Sequence, residues 1–134
     1  MAEPVRMDFL NPPTLHIPVG YSHVARVRGG GLVFISGQVA LDESGSVVGP
    51  GDYLRQAEQT FKNLGLALEA AGTNFRSVVK LTIFVTDIRG LPEIRSVRNR
   101  YIDVAHPPAS TAVQVSRLFR PELLLEVDAV AALE

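Results

Sequence analysis

The sequence predicts an α+β fold: a mixed β-sheet with two helices packed on one of its faces. Three observations predict it. The stretch VVKLTIFVTD alternates apolar and polar residues with the two-residue period of a strand. The stretch from Tyr53 to Ala71 spaces its apolar residues by threes and fours, the period of a helix. The segments follow one another in the order ββ(β)-α-β-α-β-β, so hairpins at the ends and helical crossovers in the middle give a sheet with both parallel and antiparallel pairs.

Taken in order, residues 1–14 are proline-rich and read as an irregular N-terminal arm, and residues 15–134 read as one domain. No composition break, linker or internal repeat divides that domain. VARVR and LVFIS are rich in β-branched residues and read as a hairpin around Gly29-Gly30-Gly31. A phosphate-cradling glycine loop would open into a helix, whereas this one opens into a strand, so it is a turn. DESGSVVGPGD is turn chemistry around a short strand at Ser46 to Val48.

Asp52 is the expected N-cap of the first helix, and Gly72 its stop. Leu54, Ala57, Phe61, Leu64, Leu68 and Ala71 form its apolar stripe. Gly65 costs that helix roughly 1 kcal/mol against alanine, and close approach to a sheet would explain it. VVKLTIFVTD sends Val79, Leu81, Ile83 and Val85 to one face. A second helix is expected from Leu91 to Ala105, turning Leu91, Ile94, Val97 and Tyr101 inward. His106-Pro107-Pro108 cannot continue it, because proline lacks an N–H and disfavours α geometry in the residue before it. STAVQVS is the next strand, and LLLEVDAVAAL closes the chain with Leu125, Val127, Ala129 and Ala131 inward and Glu126 and Asp128 outward.

The second face of the sheet is expected to carry Phe34, Ser36, Lys80, Thr82, Phe84, Gln114 and Glu126. Such a face is too apolar to be left wet and too polar for a private core, so it predicts a homo-oligomer with pockets where copies meet.

Composition narrows the function. Hydrophobic residues make up 46% and charged residues 20%, the profile of a globular chain. The net charge is −1, with 13 Lys and Arg scattered among 14 acidic residues, and no basic face for nucleic acid follows from that. There are no cysteines, which excludes disulfides, thiolate metal sites and a cysteine nucleophile and is compatible with the cytoplasm. No apolar run approaches the ~18 residues of a membrane helix, and the start lacks a signal-peptide apolar region. His16, His23 and His106 lack metal-site spacing. No metal and no cofactor is expected. Ser36-Gly37 is not a nucleophile elbow.

The segments GYSHVARVRGGGLVFISGQVALD, QAEQTFKNLGLALEAAGTNFRSVVKLTIFVTD, RYIDVAHPPASTAVQVSRL and LLEVDAVA resemble the RidA family, also called YjgF/YER057c/UK114. The resemblance runs from about Ile17 to the C-terminus. It implies a chorismate-mutase-like α+β fold and a homotrimer with clefts between subunits. It also implies hydrolysis of 2-aminoacrylate-type enamines and imines to 2-oxo acids and ammonia, without metal or cofactor. An arginine would bind the substrate carboxylate, a glutamate would activate water, and a tyrosine would help close the pocket.

Carried over residue by residue, the resemblance makes Glu126 the catalytic glutamate and Tyr21 the cleft tyrosine, and it puts Ser36, Gly37 and Gln38 in the turn beside the cleft. Ser110, followed by Thr111, stands where deaminase-competent members carry the arginine of P-A-R-[ST]. A serine hydroxyl cannot replace a planar two-pronged cation. Losing that charge-assisted pair costs on the order of 1.5–3 kcal/mol, about tenfold or more in affinity. Arg98 falls where many members carry a cleft-facing asparagine, which leaves two readings open: a cation supplied from another direction, or a solvated helix arginine. The expected ligand sites are therefore Tyr21, Ser36, Gly37, Arg98, Ser110 and Thr111. The expected function is small-metabolite binding in intersubunit clefts with weak or absent imine hydrolysis. The alternative is a genuine deaminase. An endoribonuclease role, attached to some relatives, is disfavoured by the charge balance.

Overall fold

The computed structural model describes residues 4–133. Its elements are β1 (Arg6–Leu10), β2 (Val24–Arg28), β3 (Gly31–Gln38), α1 (Tyr53–Ala70), β4 (Val78–Val85), α2 (Leu91–Arg98), β5 (Ala109–Gln114) and β6 (Leu125–Leu133). The main sheet has the order β3-β6-β4-β5, antiparallel except for the parallel pair β4–β5. The fold is the expected α+β mixed sheet with two helices on one face. No helix among the described residues is long and apolar enough to cross a membrane.

The core lies between that face and the helices. Leu81, Ile83 and Val85 of β4 and Leu125, Val127, Ala129 and Ala131 of β6 are almost fully buried, and they meet Ala57, Phe61, Leu64 and Leu68 of α1 and Leu91, Ile94 and Val97 of α2. Asp52 caps α1 as expected, its side chain accepting from the Arg55 amide at 3.1 Å. Leu54 and Ala71 fall outside the buried stripe, and Gln56 and Thr60 stand inside it. Gln56 has a structural reason. Its amide donates to the Gly49 and Glu122 carbonyls at 3.2 and 2.8 Å and accepts from the Leu124 amide at 2.8 Å. It therefore ties α1 to the loop before it and to the approach of β6.

Several expectations are corrected. The N-terminal arm is not irregular throughout, because Arg6–Leu10 pairs antiparallel with Val24–Arg28; residues 1–3 and 134 lie outside the described residues. VARVR and LVFIS do not pair as a hairpin. The turn exists, with φ of 71° and 60° at Gly29 and Gly30, but it sends β2 to β1 and β3 to β6. Arg26 and Arg28 reach Asp8 across the small sheet at 3.0 and 3.1 Å. Ser46–Val48 is only an isolated bridge, Val47 to Leu41. Gly65 relieves a contact with Phe75, whose ring would lie 3.2 Å from an added Cβ, and not with a sheet. The second helix stops at Arg98, well short of Ala105.

Register corrects one face assignment. Ser110 and Ala112 pair with Leu81 and Ile83, so the parity of β5 puts Ser110, Ala112 and Gln114 on the helix side. Gln114 therefore leaves the second face and accepts from the Ile88 amide at 2.8 Å. The second face keeps Phe34, 74% exposed, with Leu32 at 51% and Val113 at 40%.

Replacing Gln56 by leucine keeps the volume and strands the Leu124 amide. The expected loss is about 1–3 kcal/mol, read as a lower urea midpoint with an unchanged denaturant slope.

Candidate functional site

The cavity of interest opens at the edge of β5. It has a volume of about 200 Å³ and is lined by Val19, Tyr21, Ile83, Leu91, Arg95, Arg98, Ser110 and Ala112. Four chain segments build it, β4 contributing Ile83 to its wall. Strand β5 contributes Ser110 because the prolines before it force extended chain. Helix α2 contributes Arg95 and Arg98, three residues apart and therefore neighbours on one helix face. The segment before β2 contributes Tyr21.

That last segment is held by the prolines themselves. Pro107 and Pro108 have no N–H and offer only carbonyls. The Ser22 hydroxyl donates to the Pro107 carbonyl at 2.5 Å, and the Ser22 amide donates to the Pro108 carbonyl at 3.1 Å. Ser22 is 2% exposed and bridges to Ala109 in parallel. This clasp lays Tyr21 beside the start of β5. The Tyr21 hydroxyl is in turn 2.7 Å from His16 Nε2.

Arg98 is 6% exposed. Its Nε and Nη2 donate to Asn99 Oδ1 at 3.1 and 3.0 Å. Among the described residues no carboxylate forms an ion pair with it. Burial, and next the positive charge of Arg95, lower its pKa from the ordinary arginine value, although a guanidinium keeps its proton in a protein. Gly20 lets the chain pass over this group: at φ 78°, an added Cβ would stand 3.0 Å from Arg98 Nη2.

Glu126 occupies a different place. It pairs with Phe84 on the face away from the helices. Its neighbour is Gly37, in the irregularity of β3 between Ile35 and Gln38. A Cβ on Gly37 would stand 2.8 Å from Glu126 Cγ and 2.6 Å from its Cδ, so the glycine lets the carboxylate lie in this position and an added methyl would make that side chain turn aside. Ser36 and Gly37 are exposed beside it. Among the described residues nothing hydrogen-bonds the Glu126 carboxylate.

The structure therefore brings Tyr21, Arg98 and Ser110 together and sets Ser36, Gly37 and Glu126 apart from them. Thr111 belongs to neither group: it faces the other side of the sheet, where its hydroxyl accepts from Lys80 Nζ at 2.6 Å. His106 points to Asp103, 3.2 Å away, and lines nothing with Ser110. Sequence reasoning missed Arg95 and Ser22. The i, i+3 spacing to Arg98 could have found Arg95, whereas nothing in the sequence signals the clasp of Ser22. Among the described residues no group of three or more His, Asp or Glu could hold a metal ion.

The fold and site define a class: a two-layer α+β protein with an unpartnered β-face and a small cation-lined cavity at a sheet edge. The Endoribonuclease L-PSP family model matches residues 14–133, and the chain belongs to this family, the RidA or YjgF/YER057c/UK114 proteins. It is 37% identical over 117 residues to a RutC family protein of Synechocystis, spanning 87% of this chain and 88% of the relative. It is 37% identical over 99 residues to the mouse 2-iminobutanoate/2-iminopropanoate deaminase, spanning 74% of this chain and 72% of that one. Among solved structures, the Rid-family protein YyfB of Yersinia pestis, described as of unknown function, superposes with a TM-score of 0.83 at 32% identity, covering 95% of this chain and 98% of that one.

Gly37→Ala should turn the Glu126 side chain aside, at a small cost in stability because that side chain is flexible and makes no hydrogen bond among the described residues. In a double-mutant cycle, the cost should be largely relieved in the Gly37→Ala, Glu126→Ala variant. Additive costs in thermal unfolding would show that the two groups do not press on each other.

Proposed function

We propose that this protein is a trimeric, carboxylate-binding member of its family, with its ligand held in intersubunit clefts and imine hydrolysis weak or absent. One observation carries the reading. A buried arginine with no acidic partner among the described residues lines a small cavity together with Tyr21 and Ser110. Such a group is costly unless a ligand completes it, and a carboxylate matches its fork. The cavity lies below the roughly 300–1,000 Å³ typical of drug-sized ligands, so the ligand is a molecule of a few carbons.

The need for neighbouring copies rests on geometry. Ser110 and Glu126 leave the sheet on opposite faces, with β4 between their strands. Two strand spacings separate them across the sheet, and a three-residue offset from Leu81 to Phe84 separates them along it, roughly 10 Å in each direction. One small ligand cannot touch both within a chain. A second copy covering the apolar face around Phe34 would bring its own Glu126 toward the Arg98 cavity. In that arrangement the guanidinium holds the carboxylate. Glu126 takes a proton from water as it adds to the C=N carbon and passes it to the nitrogen; it then carries the new hydroxyl's proton to that nitrogen as the C–N bond breaks and the C=O bond forms. Ammonia departs and a 2-oxo acid remains.

The mouse relative's name states deaminase activity on 2-iminobutanoate and 2-iminopropanoate. A full deaminase is the second reading here, and the position of Arg98 favours it, since that residue restores a cation near Ser110. The difference is one of rate. The Ser110 hydroxyl leaves the family's arginine position without charge, so the carboxylate is gripped from α2 and not from β5. The balanced charge of the surface offers no footprint for an endoribonuclease.

Imine generated by an amino-acid oxidase should disappear only marginally faster with this protein than without it, and Ser110→Arg should accelerate it about tenfold or more. Fast turnover by the unmodified protein, abolished by Glu126→Ala, would establish the full deaminase instead. Light scattering should return the mass of three chains, and Phe34→Asp should lower it. A monomer in the unmodified protein would remove the cleft altogether.

A further inference from the structure

Two guanidiniums line this cavity, and only one is needed to hold a single carboxylate. Arg95 and Arg98 stand three residues apart on the last turns of α2 and face the same space. None of the residues lining it is acidic. Among the described residues neither arginine is engaged in an ion pair. Asn99 occupies Nε and Nη2 of Arg98 through one oxygen, which neutralises nothing. The helix C-terminus favours both cations but supplies only a fraction of one charge, and that effect fades within a turn.

The two arginines also differ in setting. Arg98 is buried at the base, under Gly20, and Arg95 is exposed at the opening. A ligand with one carboxylate would satisfy Arg98 and leave Arg95 without an anionic partner. A ligand with a second negative charge a few ångströms from the first would meet both. Tyr21 and Ser110 line the same space without adding charge.

We infer that the cavity selects small dicarboxylates, with one carboxylate on Arg98 at the base and the second on Arg95 at the opening. This rests on the carboxylate reading above and narrows it. A monocarboxylic imine with an apolar side chain would fill the space and leave Arg95 unmatched. Slow turnover of such imines then follows from the choice of ligand as well as from the serine at position 110.

The test compares succinate with butanoate, equal in carbon number, by calorimetric titration of the full-length protein at matched ionic strength. Matching matters because exposed charges are screened within about 10 Å at 0.1 M salt. Succinate should bind about fivefold or more tightly, the scale of one partly exposed ion pair. Arg95→Gln should erase the gap between the two ligands, and Arg98→Gln should weaken both. Should Arg98→Gln fail to fold, Arg98→Lys carries the same test, keeping the charge and losing the fork. Equal binding of the two acids, or a gap that survives Arg95→Gln, overturns the dicarboxylate inference and leaves the carboxylate site standing. Binding of neither acid overturns both.

Discussion

The register of β6 is the constraint on which the other features depend. This last strand lies inside the sheet, between β3 and β4, so the sheet cannot close until the end of the chain is in place. Its side chains alternate strictly. Leu125, Val127, Ala129 and Ala131 go under the helices, and Glu126 and Asp128 go to the other face. A slip of one residue would drive two carboxylates into the core and expose the apolar set. An unpaired charge in an apolar interior costs several kcal/mol, so the alternation fixes the register strongly. The same register sets Glu126 against the irregularity of β3, where Gly37 leaves room for it.

The site follows from that sheet and from a clasp laid over its far edge. Paired prolines end the connection after α2, and their carbonyls capture Ser22. The chain before β2 is thereby pulled across the start of β5, and Tyr21 arrives next to Ser110. The early end of α2 also matters. Because the helix stops at Arg98, this arginine sits on its last turn, beside the edge strand, where the chain around Gly20 covers it. On the proposed reading, a second copy is what would bring the buried cation and the Glu126 carboxylate of the opposite face to one ligand. A private core has no use for an arginine without an acid, and a solvated surface has none for an exposed Phe34.

Much of the fold was legible because it rests on periodicity. The helix of Tyr53–Ala70, its Asp52 cap and the strands at 78–85 and 125–133 all follow local patterns of two or 3.6 residues, and the structure keeps them. What was misread depends on partners far along the chain. The VARVR strand looks like half of a hairpin with LVFIS, yet it pairs with Arg6–Leu10, a segment whose prolines and mixed composition hide its strand. Gln56 looks like a surface residue until the loops at Gly49 and Glu122 arrive to take its amide. In β5 the two faces are nearly equal in polarity, so only its pairing with β4 assigns Gln114 to the helix side and Thr111 to the other.

The sequence by itself determined the α+β class, the family, the absence of thiol chemistry and the identity of the residues Ser110 and Thr111 after the paired prolines. These are properties of local pattern and residue identity. Tertiary structure alone decided that Arg98 is buried with no acidic partner among the described residues, that Arg95 joins it, and that Ser110 and Glu126 leave the sheet in opposite directions. The physical reason is that burial and facing depend on which strands lie side by side and where a helix ends. Those choices are set by long-range pairing and by a clasp between residues far apart in the chain, and no local period records them.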